Sequence, residues 1–326
     1  MRPRERVDPQ AERAHRPRRD RAAARDLPAR ARAAPRALIP SDWLVVVERK
    51  LRAARLSYGH GTANARDEAA WLLAHALRIS HEELSRSADR KVTRSEERRV
   101  QRLVEERVRT RKPLAYLMRE AWLGDHRFYV DERVLVPRSF IAELLRERLR
   151  PWVSRPVTNA LDLCTGSGCL AILLALTFPK SAVTATDISR PALTVARKNI
   201  GLYRLARRIG LARADLFPKR RKPYDLIVAN PPYVSAAAMR KLPPEYRREP
   251  RIALAGGADG LAFVRRIVEG APEFLRPGGW LVVEVGHARR AVERAFPRLP
   301  FIWAETSAGD DCVFLLQREA LYNSRP

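Results

Sequence analysis

Apolar positions between residues 41 and 119 recur with the period of amphipathic helices. Ser41 stands where it can cap a first helix. The apolar positions of that helix are Leu44, Val47, Leu51 and Ala54. The glycine-containing stretch 57–62 ends it. A second helix carries one apolar face, made by Ala69, Leu72, Leu73, Ala76 and Leu77. One such stripe is only marginally stable alone, so these helices are expected to pack as a small bundle.

Two capping-box patterns mark further helix starts in this region. They are Ser80-x-x-Glu83 and Thr93-x-x-Glu96. The helix after Thr93 has an apolar stripe, with arginines on its other side. The stripe consists of Val100, Leu103, Val104 and Val108. Residues 41–120 are therefore predicted to form a helical domain.

The pattern changes period over residues 121–137. Two apolar pairs, Phe128 with Val130 and Val134 with Val136, flank a polar Asp-Glu-Arg turn. This arrangement predicts a short hairpin that links two domains.

From about residue 157 strands and helices alternate along the chain. Strands are predicted at 157–163, 182–187, 224–229 and 280–286, with a further one before Asp215. Residues 301–306 and 312–317 are predicted to close the chain as an antiparallel pair. The alternation predicts an α/β domain with a mostly parallel, doubly wound sheet over residues 138–326.

Composition adds two expectations about the surroundings of the protein. The 326 residues include 63 Lys+Arg and 37 Asp+Glu, a net charge of +26, which favours an anionic partner such as RNA, a ribosome or DNA. Residues 1–40 are rich in arginine and proline and poor in large apolar residues. They are predicted to be a disordered tail.

Several classes of protein are disfavoured by what the chain lacks. It has no run of 18 apolar residues, so no membrane span or membrane partner is expected. Three cysteines are too few for a disulfide framework, which favours a reducing cytoplasm. No Cys/His cluster has ligand spacing, so no metal is expected.

The first candidate site is the glycine-containing turn within residues 161–172, LDLCTGSGCLAI. Gly166 and Gly168 fall between a strand and a helix, where glycines let the backbone approach a ligand and the helix start offers free N–H groups. Asp187 lies 19 residues after Gly168, at the end of the next strand, and can accept the ribose hydroxyls of an adenosine. NAD enzymes and methyltransferases share this pattern.

The second site, Asn230-Pro231-Pro232-Tyr233, separates these two classes. It follows the strand 224–229 directly, and its two prolines fix the backbone. The carbonyls of the Asn230 side chain and the Pro231 main chain could accept both hydrogens of one planar NH2 group, with Tyr233 stacked on it. That suits methyl transfer from S-adenosylmethionine, which needs alignment rather than a strong base. It has no use in an NAD dehydrogenase.

With these motifs the sequence resembles the class I, S-adenosylmethionine-dependent protein-(glutamine) methyltransferases. One branch of that family modifies peptide-chain release factors. The other, PrmB-type branch modifies a glutamine of large-subunit ribosomal protein L-three. This chain is similar to the second branch over roughly residues 41–320. The matching stretches are 56–72, 128–145, 161–172, 230–234 and 242–261.

Two positions refine the comparison between the branches. The release-factor branch typically has Pro-Arg-Pro-Asp-Thr-Glu where this chain has Pro137-Arg138-Ser139-Phe140, which is the L-three type. Arg248 departs from the family pattern, in which His is expected. Only fine substrate contacts are affected by that departure.

The resemblance implies a seven-stranded, Rossmann-like methyltransferase domain after a helical domain that recognises the protein substrate. It implies a set of cofactor-binding residues for S-adenosylmethionine: Thr165, Gly166, Ser167, Gly168, Asp187, Asp215, Leu216 and Asn230. Asp187 would take the ribose, and Asp215 and Leu216 the adenine. The glutamine pocket would be formed by Asn230, Pro231, Pro232 and Tyr233. Ribosomal protein L-three is the implied partner, with a possible contact to ribosomal RNA or an assembly intermediate.

Other interpretations stay open at this point. A release-factor glutamine methyltransferase shares the motifs. An adenine amino methyltransferase acting on nucleic acid would use the same Asn-Pro-Pro-Tyr turn, but no separate target-recognition domain is visible after residue 320. A ribosome- or RNA-binding module with an inactive fold is disfavoured by the intact motifs. His287, at a strand end, is more often structural than a catalytic base.

Overall fold

The computed structural model describes residues 38–86 and 90–323, so the predicted tail lies outside the described residues up to residue 37. The first part of the chain is helical. Its helices are α1 (Pro40–Ala53), α2 (Ala65–Leu77), α3 (His81–Arg86), α4 (Arg94–Thr110) and α5 (Leu114–Met118). They enclose one apolar core, whose fully buried members include Val47, Leu51, Ala69, Leu72, Leu73 and Val100.

The start of α1 differs from the prediction. The helix begins at Pro40, and the carboxylate of Asp42, not the side chain of Ser41, caps it by accepting the Ile39 N–H at 3.2 Å. A proline suits the first helical position because its missing N–H would have no partner there. The buried stripe is Trp43, Val47 and Leu51, while Leu44 is only partly buried.

Both predicted capping boxes are confirmed. The Glu83 N–H donates to Ser80 Oγ at 3.0 Å, and the Ser80 N–H donates to the Glu83 carboxylate at 2.7 Å. At α4 the Thr93 N–H donates to Glu96 at 2.9 Å, with the reciprocal bond at 3.3 Å. These local contacts set where α3 and α4 begin.

The hairpin after the helices is shorter and earlier than predicted. It pairs β1 (Ala121–Leu123) with β2 (His126–Phe128) around a turn at Gly124, whose φ of +57° favours glycine. The predicted pairing of 128–130 with 134–136 is wrong. The carboxylate of Asp131 accepts the N–H and guanidinium of Arg133, which folds 131–134 into a compact turn.

The remaining elements alternate as the pattern predicted. In chain order they are α6 (Ile141–Arg146), β3 (Asn159–Leu163), α7 (Cys169–Thr177), β4 (Ala182–Asp187), α8 (Arg190–Leu202), β5 (Ile209–Arg213), β6 (Tyr224–Ala229), α9 (Ala236–Lys241), α10 (Ala262–Gly270), β7 (Leu275–Glu284), α11 (Arg289–Ala295), β8 (Ile302–Thr306), β9 (Gly309–Gln317) and α12 (Arg318–Asn323). Short 3-10 turns lie at Tyr246–Arg248, Arg251–Ala253 and Ala271–Glu273.

Seven strands form one sheet in the order β5-β4-β3-β6-β7-β9-β8, which confirms the predicted fold. The first five are parallel, and β9 runs antiparallel to both neighbours, as predicted for the end of the chain. Strand β3 is buried on both faces, as parallel strands covered by helices are. The chain order reverses between β3 and β6, so a crevice opens at their carboxyl ends. None of the described helices is long and apolar enough to cross a membrane.

Candidate active site

A pocket occupies the crevice at the carboxyl ends of β3, β4, β5 and β6. Its lining includes six of the residues predicted from sequence: Gly166, Asp187, Asp215, Leu216, Asn230 and Pro232. The apolar side chains of Ile188 and Phe263 also line it. The other predicted residues lie outside the lining: Thr165, Ser167, Gly168, Pro231 and Tyr233.

The glycine turn after β3 separates residues that face the pocket from residues that build the turn. Gly166 has φ +54° and Gly168 has φ +81°. A Cβ on Gly168 would lie 3.1 Å from Ala196 Cβ, so this glycine permits close contact with α8. The Thr165 hydroxyl donates to Asp162, and the Ser167 carbonyl accepts from Asn199 Nδ2 at 2.9 Å. Thr165, Ser167 and Gly168 therefore shape the turn that presents Gly166.

Asp187 lies at the end of β4 with its carboxylate against that turn. One oxygen accepts the Gly166 N–H at 2.9 Å, and the other accepts the Ser189 N–H at 2.8 Å. Burial raises the pKa of this carboxyl above its usual range. The same side chain thus organises the loop and offers acceptor oxygens to the pocket.

The residues after β5 form the next part of the wall. Leu216 is buried in a left-handed conformation with φ +67°, and its carbonyl accepts the Thr186 hydroxyl at 2.7 Å. Asp215 forms a two-pronged ion pair with Arg266, at 3.1 and 2.8 Å. This pair holds the loop against α10.

Asn230 begins the turn after β6 and is fixed by a neighbouring loop. Its Nδ2 donates to the main-chain carbonyl of Arg138 at 3.4 Å, which leaves the side-chain carbonyl for another partner. The turn continues through two buried prolines. Val234 then pairs with the segment 254–256: its N–H donates to the Leu254 carbonyl at 2.9 Å and its carbonyl accepts the Gly256 N–H at 2.8 Å.

Tyr233 is packed tightly behind the pocket. A Cβ on Gly256 would lie 2.7 Å from Tyr233 Cα, and one on Gly286 would lie 2.9 Å from the tyrosine ring. Burial raises the pKa of Tyr233. A side chain at Gly256 would clash with the Tyr233 backbone and one at Gly286 with its ring, so the backbone of two other loops determines where Tyr233 sits.

Glu249 is a buried carboxylate that the sequence did not single out. It accepts the Val136 N–H at 3.0 Å, both ends of the Arg138 guanidinium at 2.8 and 2.6 Å, and lies 3.3 Å from His60 Nε2. Burial by itself would raise the pKa of Glu249, but the bonds from His60 and Arg138 outweigh it and lower the pKa to about 2. Glu249 therefore joins the helical region, through His60, to the loop that holds Asn230.

A second tie to the helical region lies four residues earlier. The buried carboxylate of Glu245 is 2.8 Å from Arg111 Nη2 and 3.9 Å from Arg107 Nη1. Arg107 is itself buried and donates to Glu68 on α2 at 2.7 Å. The segment 242–261, called the clamp segment below, thus contacts both the helices and the turn after β6. The exposed Arg248 lies on its outer side.

Two further buried carboxyl groups lie near the site, on β7 and β3. Glu284, at the end of β7, accepts the Ser139 hydroxyl at 2.6 Å and the Phe140 N–H at 2.9 Å. Asp162, on β3, accepts the Thr165 hydroxyl and the Ala171 N–H. Burial raises the pKa of each to about 7. Both hold loops that border the pocket, and only their tertiary environment distinguishes them from ordinary acidic residues in strands.

His287 points to a different group of residues. Its Nδ1 is 2.9 Å from Asp311 Oδ1 and 3.5 Å from Cys312 Sγ, and it does not line the pocket. One donor atom from each of these three residues lies within 4.8 Å of the others. Hydrogen bonding among the three accounts for the contact, and the linear spacing of the sequence gives no sign of it.

The seven-stranded sheet, with its crevice at the carboxyl ends of the parallel strands, has the fold of the class I methyltransferases, which take the methyl group from S-adenosylmethionine. The model of the methyltransferase small domain family matches residues 141–242. The model of the PrmC N-terminal domain matches residues 47–118. These two matches fall on the α/β part and on the helical part, respectively.

Curated relatives narrow the family. The ribosomal protein uL3 glutamine methyltransferase of Neisseria meningitidis serogroup A is 48% identical over 282 residues, covering 86% of this chain and 93% of that one. The enzyme of the same name from Bordetella pertussis is 52% identical, covering 83% and 92%. The one from Burkholderia pseudomallei is 50% identical, covering 82% and 91%. This chain belongs to the ribosomal protein uL3 glutamine methyltransferase family, which confirms the resemblance to the L-three branch.

Proposed function

We propose that this protein transfers a methyl group from S-adenosylmethionine to the side-chain amide nitrogen of a glutamine in ribosomal protein uL3, the L-three protein of the large subunit. The observation that carries the proposal is the position of Asn230. It starts the Asn-Pro-Pro-Tyr turn on the wall of the crevice, with its amide N–H bonded to the Arg138 carbonyl. The names of relatives at 43–52% identity support the same substrate.

The residues of the crevice suit the adenosine part of the cofactor. The Asp187 carboxylate would accept from the ribose hydroxyls, and Gly166 leaves the backbone open to the methionine end. Leu216, with the neighbouring Phe263, offers an apolar wall for the adenine, and Asp215 lies beside it. Thr165, Ser167 and Gly168 would act by shaping the turn. When bound, S-adenosylmethionine supplies a methyl group already activated by the positive sulfonium.

The chain's own contribution to the reaction is alignment of the glutamine amide. Because Asn230 Nδ2 is engaged by Arg138, its side-chain carbonyl would accept one hydrogen of the substrate NH2. The Pro231 carbonyl would accept the other, and Pro232 and Tyr233 would complete the wall of the glutamine pocket. Both acceptors are held in place before the reaction, so they stabilise positive charge as it builds on the nitrogen.

The proposal keeps the domain assignment made from sequence. Residues 41–120 would recognise the protein substrate, 121–137 would link, and 138–326 would bind the cofactor. The two ties through Glu245 and Glu249 support this, since they connect the helices to the clamp segment beside the catalytic turn. We also propose a cytoplasmic location and a contact with ribosomal RNA or an assembly intermediate.

The test is an Asn230→Ala variant in single-turnover methyl transfer to a glutamine-containing fragment of uL3. Loss of a group that bonds the transition state typically costs about 100-fold to 1,000-fold in rate, and this loss should far exceed any loss of cofactor affinity measured by calorimetry. Asn159→Ala makes the same chemical change at the amino end of β3 and should keep the wild-type rate. An Asn230→Ala rate within about threefold of wild type contradicts the proposal.

Competing substrates test the remaining alternatives. A release-factor fragment and an adenine-containing oligonucleotide are offered to the wild-type protein under the same conditions. Faster transfer to either one than to the uL3 fragment would replace the proposed substrate.

A further inference from the structure

The loops that precede the parallel strands lie together at the amino end of the sheet, opposite the pocket. Parallel strands begin at one end and finish at the other, so the segments before β3, β4, β5 and β6 lie together. We define the amino-end face as residues 148–158, 178–181, 203–208 and 217–223. We infer that this face binds the phosphate backbone of RNA. The choice of RNA over other polyanions rests on the proposed function.

The amino-end face carries cations that no carboxylate neutralises. Its exposed basic side chains without an ion pair in the described part of the chain are Arg148, Arg150, Arg155, Lys180, Arg204, Arg207, Lys219 and Arg220. Among the acidic side chains that border it, Asp225 pairs with Arg276 at 2.9 Å and Glu273 with Arg221 at 3.2 Å. The exposed Glu147, next to Arg148, offsets one further positive charge. An excess of positive charge therefore remains on this side of the sheet.

The shape of this face suits a polymer better than a point ligand. A cavity between the segments 148–157 and 178–180 is lined by Arg148, Arg150, Arg155 and Lys180, and no acidic residue is among its lining residues. A concave surface lined by one sign of charge concentrates the field and attracts a polyanion. The half-buried Arg208 braces its edge by donating to the carbonyls of Phe178 and Ser181, at 2.8 and 2.9 Å.

The amino-end face and the pocket lie at opposite ends of the sheet, so both can be occupied at the same time. The crevice that receives cofactor and glutamine lies at the carboxyl ends of the strands, so RNA on the opposite end would not cover it. If the substrate is a ribosomal protein associated with RNA, such a contact would hold the enzyme near its substrate while the pocket stays open. The attraction would be independent of base sequence, since phosphates carry no sequence information.

The experiment measures binding of a fluorescein-labelled single-stranded RNA of about 20 nucleotides by anisotropy over a salt series. The variant carries Arg150→Gln, Arg155→Gln and Lys180→Gln together. The slope of log affinity against log salt is negative, and each lost phosphate contact makes it shallower by about 0.7. The slope of the variant should therefore be shallower than that of wild type by about 2. A matched control carries Arg290→Gln, Arg294→Gln and Arg298→Gln, an equal loss of charge at exposed positions in and just after α11, and should keep the wild-type slope.

Three results would overturn the inference. They are an unchanged slope in the amino-end variant, an equal loss in both triple variants, and binding to phosphatidylglycerol vesicles with no binding to RNA. Methylation of the isolated uL3 fragment separates this inference from the proposed function. Both triple variants should methylate the fragment at the wild-type rate. A wild-type protein that binds RNA but does not methylate the fragment contradicts the proposed function alone.

Discussion

The carboxylate of Asp187 contacts the loop that forms the pocket wall and also faces the pocket. Towards the protein it accepts the N–H groups of Gly166 and Ser189, and towards the pocket it faces the proposed ribose position. A substitution here therefore affects loop order and ligand contacts together. Asp187→Asn separates the two better than Asp187→Ala, because asparagine keeps one acceptor oxygen for the loop.

We predict that Asp187→Asn weakens S-adenosylmethionine binding by about 10-fold to 100-fold. A hydrogen bond to a charged acceptor contributes about 1.5–3 kcal/mol, and the substitution removes the charge from that contact. Calorimetric titration measures the affinity. Asp125→Asn is the control, since Asp125 is exposed in the turn between β1 and β2 and does not line the pocket; it should bind within about threefold of wild type. Equal affinities for Asp187→Asn and wild type would remove the ribose role.

At the scale of elements, the clamp segment decides how the catalytic turn is held. It pairs with Val234, packs against Tyr233 through Gly256, and reaches the helical region through two buried carboxylates. Glu249 has the most direct route to the site: it binds the Arg138 guanidinium, and the Arg138 carbonyl accepts from Asn230. We interpret Glu249 as a positioning residue.

We predict that Glu249→Gln lowers the rate of methyl transfer at least about tenfold while cofactor affinity stays within about threefold. The neutral side chain leaves the Arg138 guanidinium without its counter-charge, and breaking a buried pair costs about 3–5 kcal/mol. Single-turnover transfer, calorimetry and urea unfolding are measured on the same preparation. Asp310→Asn removes an exposed ion pair with Arg289, at 2.7 Å and outside the clamp segment, and should have wild-type kinetics. A Glu249→Gln enzyme with wild-type turnover would show that the Arg138 loop holds its place without this carboxylate.

At the scale of the whole molecule, buried carboxyls make stability depend on pH. Burial raises the pKa of Glu284 from 4.5 to about 7. Between these values the folded chain keeps a proton that the unfolded chain has lost. The contribution of Glu284 to the free energy of unfolding therefore decreases as pH rises through this window, and it is constant above about pH 7.

We predict that Glu284→Gln gains stability relative to wild type as pH rises from about 5 to about 7.5, by on the order of 3 kcal/mol. Glutamine retains acceptor capacity for Ser139 and Phe140 and does not titrate. Urea unfolding of both proteins at several pH values gives the difference directly. Asp162 has a similarly raised pKa, but it is present in both proteins and cancels. A difference in stability that is flat with pH would place the titration of Glu284 outside this window.

Local patterns in the sequence determined most of the elements and the nature of the chemistry. The capping residues Ser80 and Thr93 set helix starts through contacts within four residues. The alternation of strands, turns and helices gave the order of the elements along the α/β domain. The turns at Gly166 and Asn230 were recognisable from their residues, which directly follow strands. Because those strands are adjacent and parallel, both turns lie at the same end of the sheet. Such features depend on short-range geometry, which the linear order contains.

Only the tertiary structure decided which of those residues face the pocket and what holds them. Thr165 and Tyr233 turned out to lie outside the pocket lining, and the hairpin moved to 121–128 because Asp131 forms a local turn with Arg133. Glu249 gained its low pKa from an arginine 111 positions away and a histidine 189 positions away. Burial, charge pairing and steric contact act between groups that folding brings together. Neither periodicity nor motif spacing along the chain encodes those pairings.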